Sequence, residues 1–343
     1  MRLTDRQKLI LTIIIHEHIQ TAQPVGSKTL VQKYNLNMSS ATVRNEMATL
    51  TDYGLLRQPH TSAGRVPTEE GYRFFVGNLV QKSALPTTTR RTIAHQFYQS
   101  RQDVEQWLRL AASVLANQSQ AASLVTAPHA EKAIFKHLEL IATRGRQVLM
   151  VLVLMGGEIR QQFIALGEPV PQERLSEIAT QISNLCVRCN ADMISRLRGQ
   201  MDPLGQDILD ILLTEMALIE EAATGEIYLD GMMNVLNEPE FAESDEARQA
   251  LHILEKRSLL ENLLASTVMN ADVGGIQVLI GGEGTWEELR SCSVVLARYG
   301  DPNSLTGSVG VLGPIRMPYD RTISTVRFVA NVLSDLVTET LAT

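Results

Sequence analysis

The chain has 343 residues, 44% of them hydrophobic and 5% aromatic, which suggests two or three domains with aliphatic cores. Three cysteines exclude a secreted disulfide scaffold, the apolar run Val148–Met155 is far too short to span a membrane, and the charged opening Met1-Arg-Leu-Thr-Asp-Arg-Gln-Lys is no signal peptide, so the chain reads as cytosolic. The formal net charge of −7 weighs against nucleic-acid binding as a whole-chain average, yet residues 1–91 hold 12 basic and 6 acidic side chains whereas residues 92–343 hold 19 and 32. That asymmetry of +6 against −13 predicts a basic module joined to an acidic body.

In chain order, Thr4-Asp-Arg-Gln7 has the form of a capping box, and Leu9, Ile10, Ile13, Ile14 and Ile19 continue it as a helical stripe to about Gln20. Pro24 and Gly26 end that helix. Ser27 is expected to cap a short second helix to about Tyr34, with Leu30 and Val31 inward. After a turn over Asn35–Met38, Ser39 or Ser40 caps a third helix that stops at Gly54. Val43, Met47 and Leu50 form its buried face, which leaves Ser40, Thr42, Arg44, Asn45 and Thr49 outward. Such side chains reach phosphates and base edges; Arg grips guanine and Asn grips adenine through paired hydrogen bonds in the major groove. A short helix, a tight turn and a polar-faced helix therefore predict a helix-turn-helix. Leu55–Gln58 and Arg65–Thr68 read as a hairpin, a wing around the loop Pro59-His-Thr-Ser-Ala-Gly64. That loop holds no carboxylate and offers His60, Thr61, Ser62 and Arg65 as donors. Thr68 caps a further helix whose first turn carries Glu69 and Glu70.

Three stretches of this region, Pro24-Val-Gly-Ser-Lys-Thr-Leu30, Ser39-Ser-Ala-Thr-Val-Arg-Asn-Glu-Met47 and Gln58-Pro-His-Thr-Ser-Ala-Gly-Arg-Val-Pro-Thr68 with Gly71-Tyr-Arg-Phe74, resemble the bacterial heat-shock repressors called HrcA. The resemblance continues through Ile227-Tyr-Leu-Asp-Gly231, Cys292-Ser-Val-Val295 and Gly313-Pro-Ile-Arg-Met-Pro-Tyr319, and so spans the chain. Two departures stand out: Gly281-Gly-Glu-Gly284 replaces a Gly-Glu-Glu-Asn-like segment, and Pro318 stands where Asp is common. The resemblance implies a GAF-like domain and an insertion where two subunits meet. It also implies an inverted-repeat operator before chaperone genes, and help from the chaperonin GroEL in keeping the repressor active.

Ser83–Thr92 reads as a linker, with Pro86 and a Thr run. Beyond it, a helix is expected over Phe97–Leu115, with Val104, Trp107, Leu108, Ala111 and Leu115 on one face. Strands follow at Leu138–Ile141, Gln147–Met155 and Glu158–Leu166, the last two joined at Gly156-Gly157, then a helix at Gln172–Cys186. Asp207–Ala223 and Glu243–Leu264 read as long helices. Further strands are expected at Gly275–Ile280, Ser293–Tyr299 and Ser308–Leu312, and a last helix at Thr322–Leu341. The fold expected is a multidomain α+β protein. Residues 1–82 form a winged helix-turn-helix domain, 83–92 a linker, 93–190 with 268–343 a discontinuous GAF-like domain, and 191–267 an inserted, mainly helical dimerisation domain. Leu251, Leu254, Leu259, Leu260 and Leu263 form a stripe that suits either an internal core or the dimer surface that the resemblance implies.

Catalytic chemistry finds little foothold. His16 and His18 lie two apart on a helix and share no face. Cys186-Val-Arg-Cys189 lacks a second pair to complete a metal site, and the glycine clusters lack a phosphate loop's lysine. No cofactor or metal is expected. The predicted function is a repressor without enzymatic activity, binding inverted-repeat double-stranded DNA as a homodimer, nucleoid-associated when bound and away from membranes. Its expected DNA contacts are Lys28, Ser39, Ser40, Thr42, Arg44, Asn45, Thr49, His60, Thr61, Ser62 and Arg65. The alternative is a regulator switched by a small metabolite in the GAF-like domain.

Overall fold

The computed structural model describes all residues except 1–2, 61–62, 80–84, 100–102, 130–132, 156, 222–225, 244–255, 268–271, 282–285, 287–288, 303–304 and 341–343. It divides into two compact units, one of Met1–Thr126, Ile227–Tyr299 and Ser308–Leu333, the other of Ala127–Glu226, Gly300–Gly307 and Ser334–Thr343. The molecule is mixed α+β, with helices and antiparallel strand pairs, as expected.

The first unit opens with α1 (Asp5–Thr21), α2 (Ser27–Lys33) and α3 (Ser40–Asp52), then β1 (Leu56–Arg57), β2 (Val66–Pro67) and α4 (Glu69–Asn78). Ile10, Leu11, Ile13, Ile14 and Ile15 of α1, Leu30 of α2 and Val43, Met47 and Leu50 of α3 are buried together with Tyr72 and Phe75 of α4. Two local expectations need correction: Leu9 faces solvent, and α2 is capped by Gly26 without a side-chain bond, Ser27 being its first helical residue.

The expected linker is also corrected, because α5 (Thr87–Gln99) begins inside it and buries Ile93 and Phe97. Correspondingly, the single helix expected over Phe97–Leu115 is two: α6 (Val104–Ser119) starts afresh where the Asp103 carboxylate accepts from the Gln106 amide. Then come β3 (Ala122–Thr126) and, in the second unit, β4 (Phe135–Ala142), β5 (Gln147–Leu154) and β6 (Ile159–Ala165). These are followed by α7 (Gln172–Cys186), α8 (Ala191–Leu197) and α9 (Pro203–Glu221). The chain continues with β7 (Ile227–Asp230), α10 (Met232–Leu236), α11 (Pro239–Glu243), α12 (Arg257–Thr267), β8 (Ile276–Ile280), β9 (Cys292–Gly300), β10 (Thr306–Pro314) and α13 (Tyr319–Thr340). The long helix expected over Glu243–Leu264 is described only at its two ends, as α11 and α12.

Among the described residues three sheets result: the two-stranded hairpin β1-β2 and the five strands β7-β3-β10-β9-β8 in the first unit, and β4-β5-β6 in the second. The strands at 135–165 therefore form their own sheet instead of joining the later ones. Cross-strand pairing decides this, and a strand's own pattern does not name its partner.

In the second unit, one face of the sheet buries Leu138, Leu140, Val148, Met150, Leu152, Leu154 and Ile164 against Leu175, Ile178, Ala179 and Ile182 of α7. Alternation along β5 sends Leu149, Val151 and Val153 to the opposite face. Registers Ile141↔Leu149↔Phe163 and His137↔Val153↔Ile159 line up rows there in which Phe163 is 65% and Ile159 57% exposed.

Three of the leucines expected at a dimer surface pack within the first unit. Leu260 and Leu263 are 1% and 0% exposed, packed with Leu264, Phe241, Val235, Leu289 and Leu296, and Leu259 is partly buried against the same cluster. They face inward because α12 closes the first unit's own core; Leu251 and Leu254 lie outside the described residues.

Candidate nucleic-acid interface

The geometry of the N-terminal module follows from its polar ties. Thr4 and Gln7 form the capping box that starts α1. Glu17, on α1 and 6% exposed, accepts from Lys33 Nζ at 2.7 and 2.9 Å and from the Tyr34 hydroxyl at 2.9 Å, so it pins the end of α2 to α1. The hydrogen bond from Lys33 is the main cause that holds the Glu17 carboxyl below its ordinary range, against the opposing effect of burial. Ser39 caps α3 by accepting from the Thr42 amide at 3.1 Å, and its hydroxyl also meets the Thr42 hydroxyl at 2.9 Å.

On α3, Arg44 and Asn45 are exposed, while Ser40, Thr42 and Thr49 are half-buried. The Thr49 hydroxyl donates to the Asn45 carbonyl at 3.2 Å. Glu46, also on α3, is tied to α1 by Arg6 at 3.4 Å and by Gln7 Nε2 at 3.1 Å.

The hairpin is fixed beside α3 by backbone pairing. Val25 N donates to Arg65 O and Arg65 N donates to Val25 O, both at 2.9 Å, and Arg65 Nε donates to the Thr51 hydroxyl at 3.0 Å. A cleft of about 590 Å³ runs between the start of α2, α3 and the hairpin. Its lining includes Lys28, Arg44 and Arg65 together with Ser27, Gln58 and Gly64, and no carboxylate. Of the residues expected to touch DNA, the fold brings Lys28, Arg44 and Arg65 to this cleft, keeps Asn45 on the adjoining exposed surface, uses Ser39 as a cap and leaves His60 exposed on the loop. Thr61 and Ser62 lie outside the described residues.

Gln58 was not among the expected contacts. It donates to the Ala63 carbonyl at 3.1 Å and so closes the hairpin loop, a role that required knowing that residues 58 and 63 face each other.

The chain resembles known proteins along its whole length. A model of the HrcA protein C-terminal domain matches residues 105–323. A heat-inducible transcription repressor HrcA from Roseiflexus castenholzii is 44% identical, covering 98% of this chain and 95% of that protein. Its counterpart in Thermomicrobium roseum is 40% identical over 99% and 97%. This chain belongs to the HrcA family. A solved structure described as a hypothetical protein covers 98% of both chains at 27% identity, with a TM-score of 0.59. The HrcA family is one of heat-inducible transcription repressors and not of enzymes.

Other features of this HrcA chain are inert at neutral pH or structural. Burial pushes the Cys186 thiol up to about 11, with Cys189 adding to the effect, so it is not a reactive thiolate near pH 7. Among the described residues no group of three or more His, Cys, Asp or Glu could hold a metal, and no helix is long and apolar enough to cross a membrane.

His18, at the end of α1, shares a hydrogen bond of 2.7 Å with the hydroxyl of Tyr72. Burial, reinforced by the Arg316 and Arg57 charges and opposed by Glu240, lowers its pKa from 6.5 to about 4. Between those values the unfolded chain binds a proton that the folded chain refuses, so acidification through this window removes stability. The expected loss between pH 7 and 5 is about 1–2 kcal/mol after allowance for partial solvent screening. Melting curves of wild type and His18→Gln at both pH values check this; an equal drop in the two proteins would remove His18 as the cause.

Proposed function

We propose that this HrcA-family chain is a sequence-specific repressor of heat-shock (chaperone) genes that binds an inverted-repeat operator as a homodimer. In this reading α2, its turn and α3 act as a helix-turn-helix, β1 and β2 as the wing, and the five-stranded sheet with its helices as the GAF-like domain. The observation that carries it is the cleft in which Lys28, Arg44 and Arg65 converge without a carboxylate. A duplex presents a dense row of phosphates, and clustered cations beside a solvent-facing Arg–Asn pair suit both backbone attachment and base reading. Ser40, Thr42 and Thr49 extend the reading surface along α3, and His60, Thr61 and Ser62 extend the wing along the flanking backbone or minor groove. In the same reading GroEL, which the family resemblance implies, is the partner that keeps the repressor active. The place of action is the cytoplasm, at the nucleoid when bound.

The homodimer needs a self-complementary surface, because an inverted repeat asks for two copies related by a two-fold axis. With Leu260 and Leu263 buried, the open face of β4-β5-β6 is the better candidate. A sheet face left in water normally alternates to polar residues, whereas this one carries Ile141, Leu149, Val151, Val153, Ile159 and Phe163 beside the polar residues His137, Glu139 and Gln161.

The test is titration of an inverted-repeat duplex against a scrambled one, over a salt series and with and without chaperonin. Arg44→Ala is expected to cost about 1–3 kcal/mol of specific affinity and little non-specific affinity. Arg65→Ala should weaken both probes alike and reduce the salt slope by about one. Equal loss on both probes from Arg44→Ala would move that residue from base reading to phosphate contact. Indifference of the wild type to sequence would reject the reading as a whole.

A further inference from the structure

The motif Gly313-Pro-Ile-Arg-Met-Pro-Tyr319 takes no part in the cleft, yet it forms a joint between the N-terminal module and the rest of the first unit. The Arg316 side chain is 11% exposed. Its Nε donates to Glu240 at 2.5 Å, its Nη2 to Glu240 at 3.1 Å and also to Glu238, and its Nη1 to the carbonyl of Ile19 at 3.1 Å. Ile19 lies in the last turn of α1, where helix carbonyls lack helical partners and the helix dipole favours a cation. Three residues on, the Tyr319 ring packs 5.9 Å from that of Tyr72 on α4, while the Tyr319 hydroxyl donates to the Ile315 carbonyl. From the module's side, Arg73 Nη2 donates to the Ile280 carbonyl at 2.7 Å. Next to it, Gly281 lets the Glu69 carboxylate approach so closely that a Cβ would sit 2.4 Å from it.

These ties all fall on α1 and α4. Arg44 and Asn45 of α3 and the cationic cleft lie outside them, so the body grips the module without covering its reading surface. A single buried Arg that serves two carboxylates and a helix end has strict directional demands, since its planar fork offers donors at set angles. The joint therefore resists rotation as well as separation.

We infer that Arg316 is a specificity-determining positioning residue: by locking α1 and α4 to the rest of the first unit it fixes the orientation of α3 within that unit, on which the half-site spacing that the dimer accepts depends. The inference rests on the homodimeric reading above. Operators of such dimers place half-sites about one helical turn, or a multiple of it, apart, so a rigid joint makes spacing part of the recognised sequence. Loosening the joint leaves each head able to bind its half-site while removing the penalty for wrong spacing.

The experiment uses the full chain and a duplex that the wild type selects from a randomised library. It is rebuilt with the spacer changed by about half a helical turn, and as a single half-site. For wild type, half-turn spacing is expected to weaken binding at least about tenfold. In Arg316→Met, half-site affinity is expected to stay within about twofold of wild type, correctly spaced affinity to fall about tenfold, and the spacing penalty to shrink below about threefold. An unchanged spacing penalty with half-site binding intact overturns the inference. Should Arg316→Met lose half-site binding, Arg73→Met, which removes the tie to Ile280 together with the pairs to Glu69 and Glu70 on its own helix, is measured on the same probes. An unchanged penalty there overturns it equally. A wild type that binds the inverted repeat no better than the half-site fails the homodimeric reading itself, and the inference with it.

Discussion

The double variant Ile159→Asp, Phe163→Asp is expected to be monomeric at concentrations where the wild type is dimeric. Both side chains stand on the open face of the three-stranded sheet, 57% and 65% exposed, and each would be covered when a second copy docks. Full burial of such a side chain contributes about 1.5–3 kcal/mol, and a two-fold interface counts every residue twice. The aspartates remove that gain and add carboxylates that burial would leave unpaired, which together should raise the dimer dissociation constant at least about 100-fold. Because the opposite face holds the core against α7, the substitutions leave the packing of Leu138, Met150 and Ile164 untouched. Sedimentation equilibrium reads the change, and operator titration should show affinity falling to that of a single half-site. A double variant that remains dimeric would place the association surface elsewhere.

Gly64→Ala should have the largest effect on the reading module. A Cβ at Gly64 would fall 2.3, 2.4 and 2.8 Å from the O, C and N atoms of Val25, all of them backbone that no side-chain rotation can move aside. Accommodating it means parting Val25 from Arg65 and losing both hydrogen bonds of 2.9 Å that hold the hairpin to the segment before α2. The expected cost is about 3 kcal/mol, at the upper end of overpacking effects, with loss of operator binding as Arg65 leaves the cleft. Gly77→Ala is the control: on α4, nothing lies within 4 Å of its Cβ position, so helix propensity should make it neutral or slightly stabilising. Amide exchange at Val25 and Arg65 should accelerate in Gly64→Ala alone, and unchanged exchange with unchanged DNA affinity would refute the steric argument.

Much of the local structure is legible in the sequence. The Thr4 capping box, the Ser39 and Thr68 caps and the spacing of Val43, Met47 and Leu50 place α1, α3 and α4 correctly, because caps and periodicity act within a few residues. The helix Gln172–Cys186 and the meander at 135–165 follow from the same kind of signal. β3 and β7 went unrecognised for a physical reason. All five residues of Ala122–Thr126 are buried, so no alternation marks them, and Ile227–Asp230 is only four residues long. The helix at Thr87–Gln99 is hidden by threonines of low helical preference, and burial of Ile93 and Phe97 overrides that preference.

Glu238 and Glu240 count in the sequence only toward the −13 of residues 92–343; in the fold they are the counter-ions of Arg316. Likewise the leucines at 260 and 263 carry the same stripe whether they face a partner or their own core, and only the packing of Phe241, Leu289 and Leu296 around them distinguishes the two.

By itself, then, the sequence determined most of the helices and strands, the surplus of positive charge in the first 91 residues, and the family. These are encoded in caps, periodicity, charge and motifs, all of which act over short stretches of chain. Tertiary structure alone decided which strands share a sheet, which leucines are core, where the cations converge and how Arg316 ties the module to its body. Those outcomes depend on contacts between residues tens to hundreds of positions apart, and pairing at that range leaves no local periodicity to read.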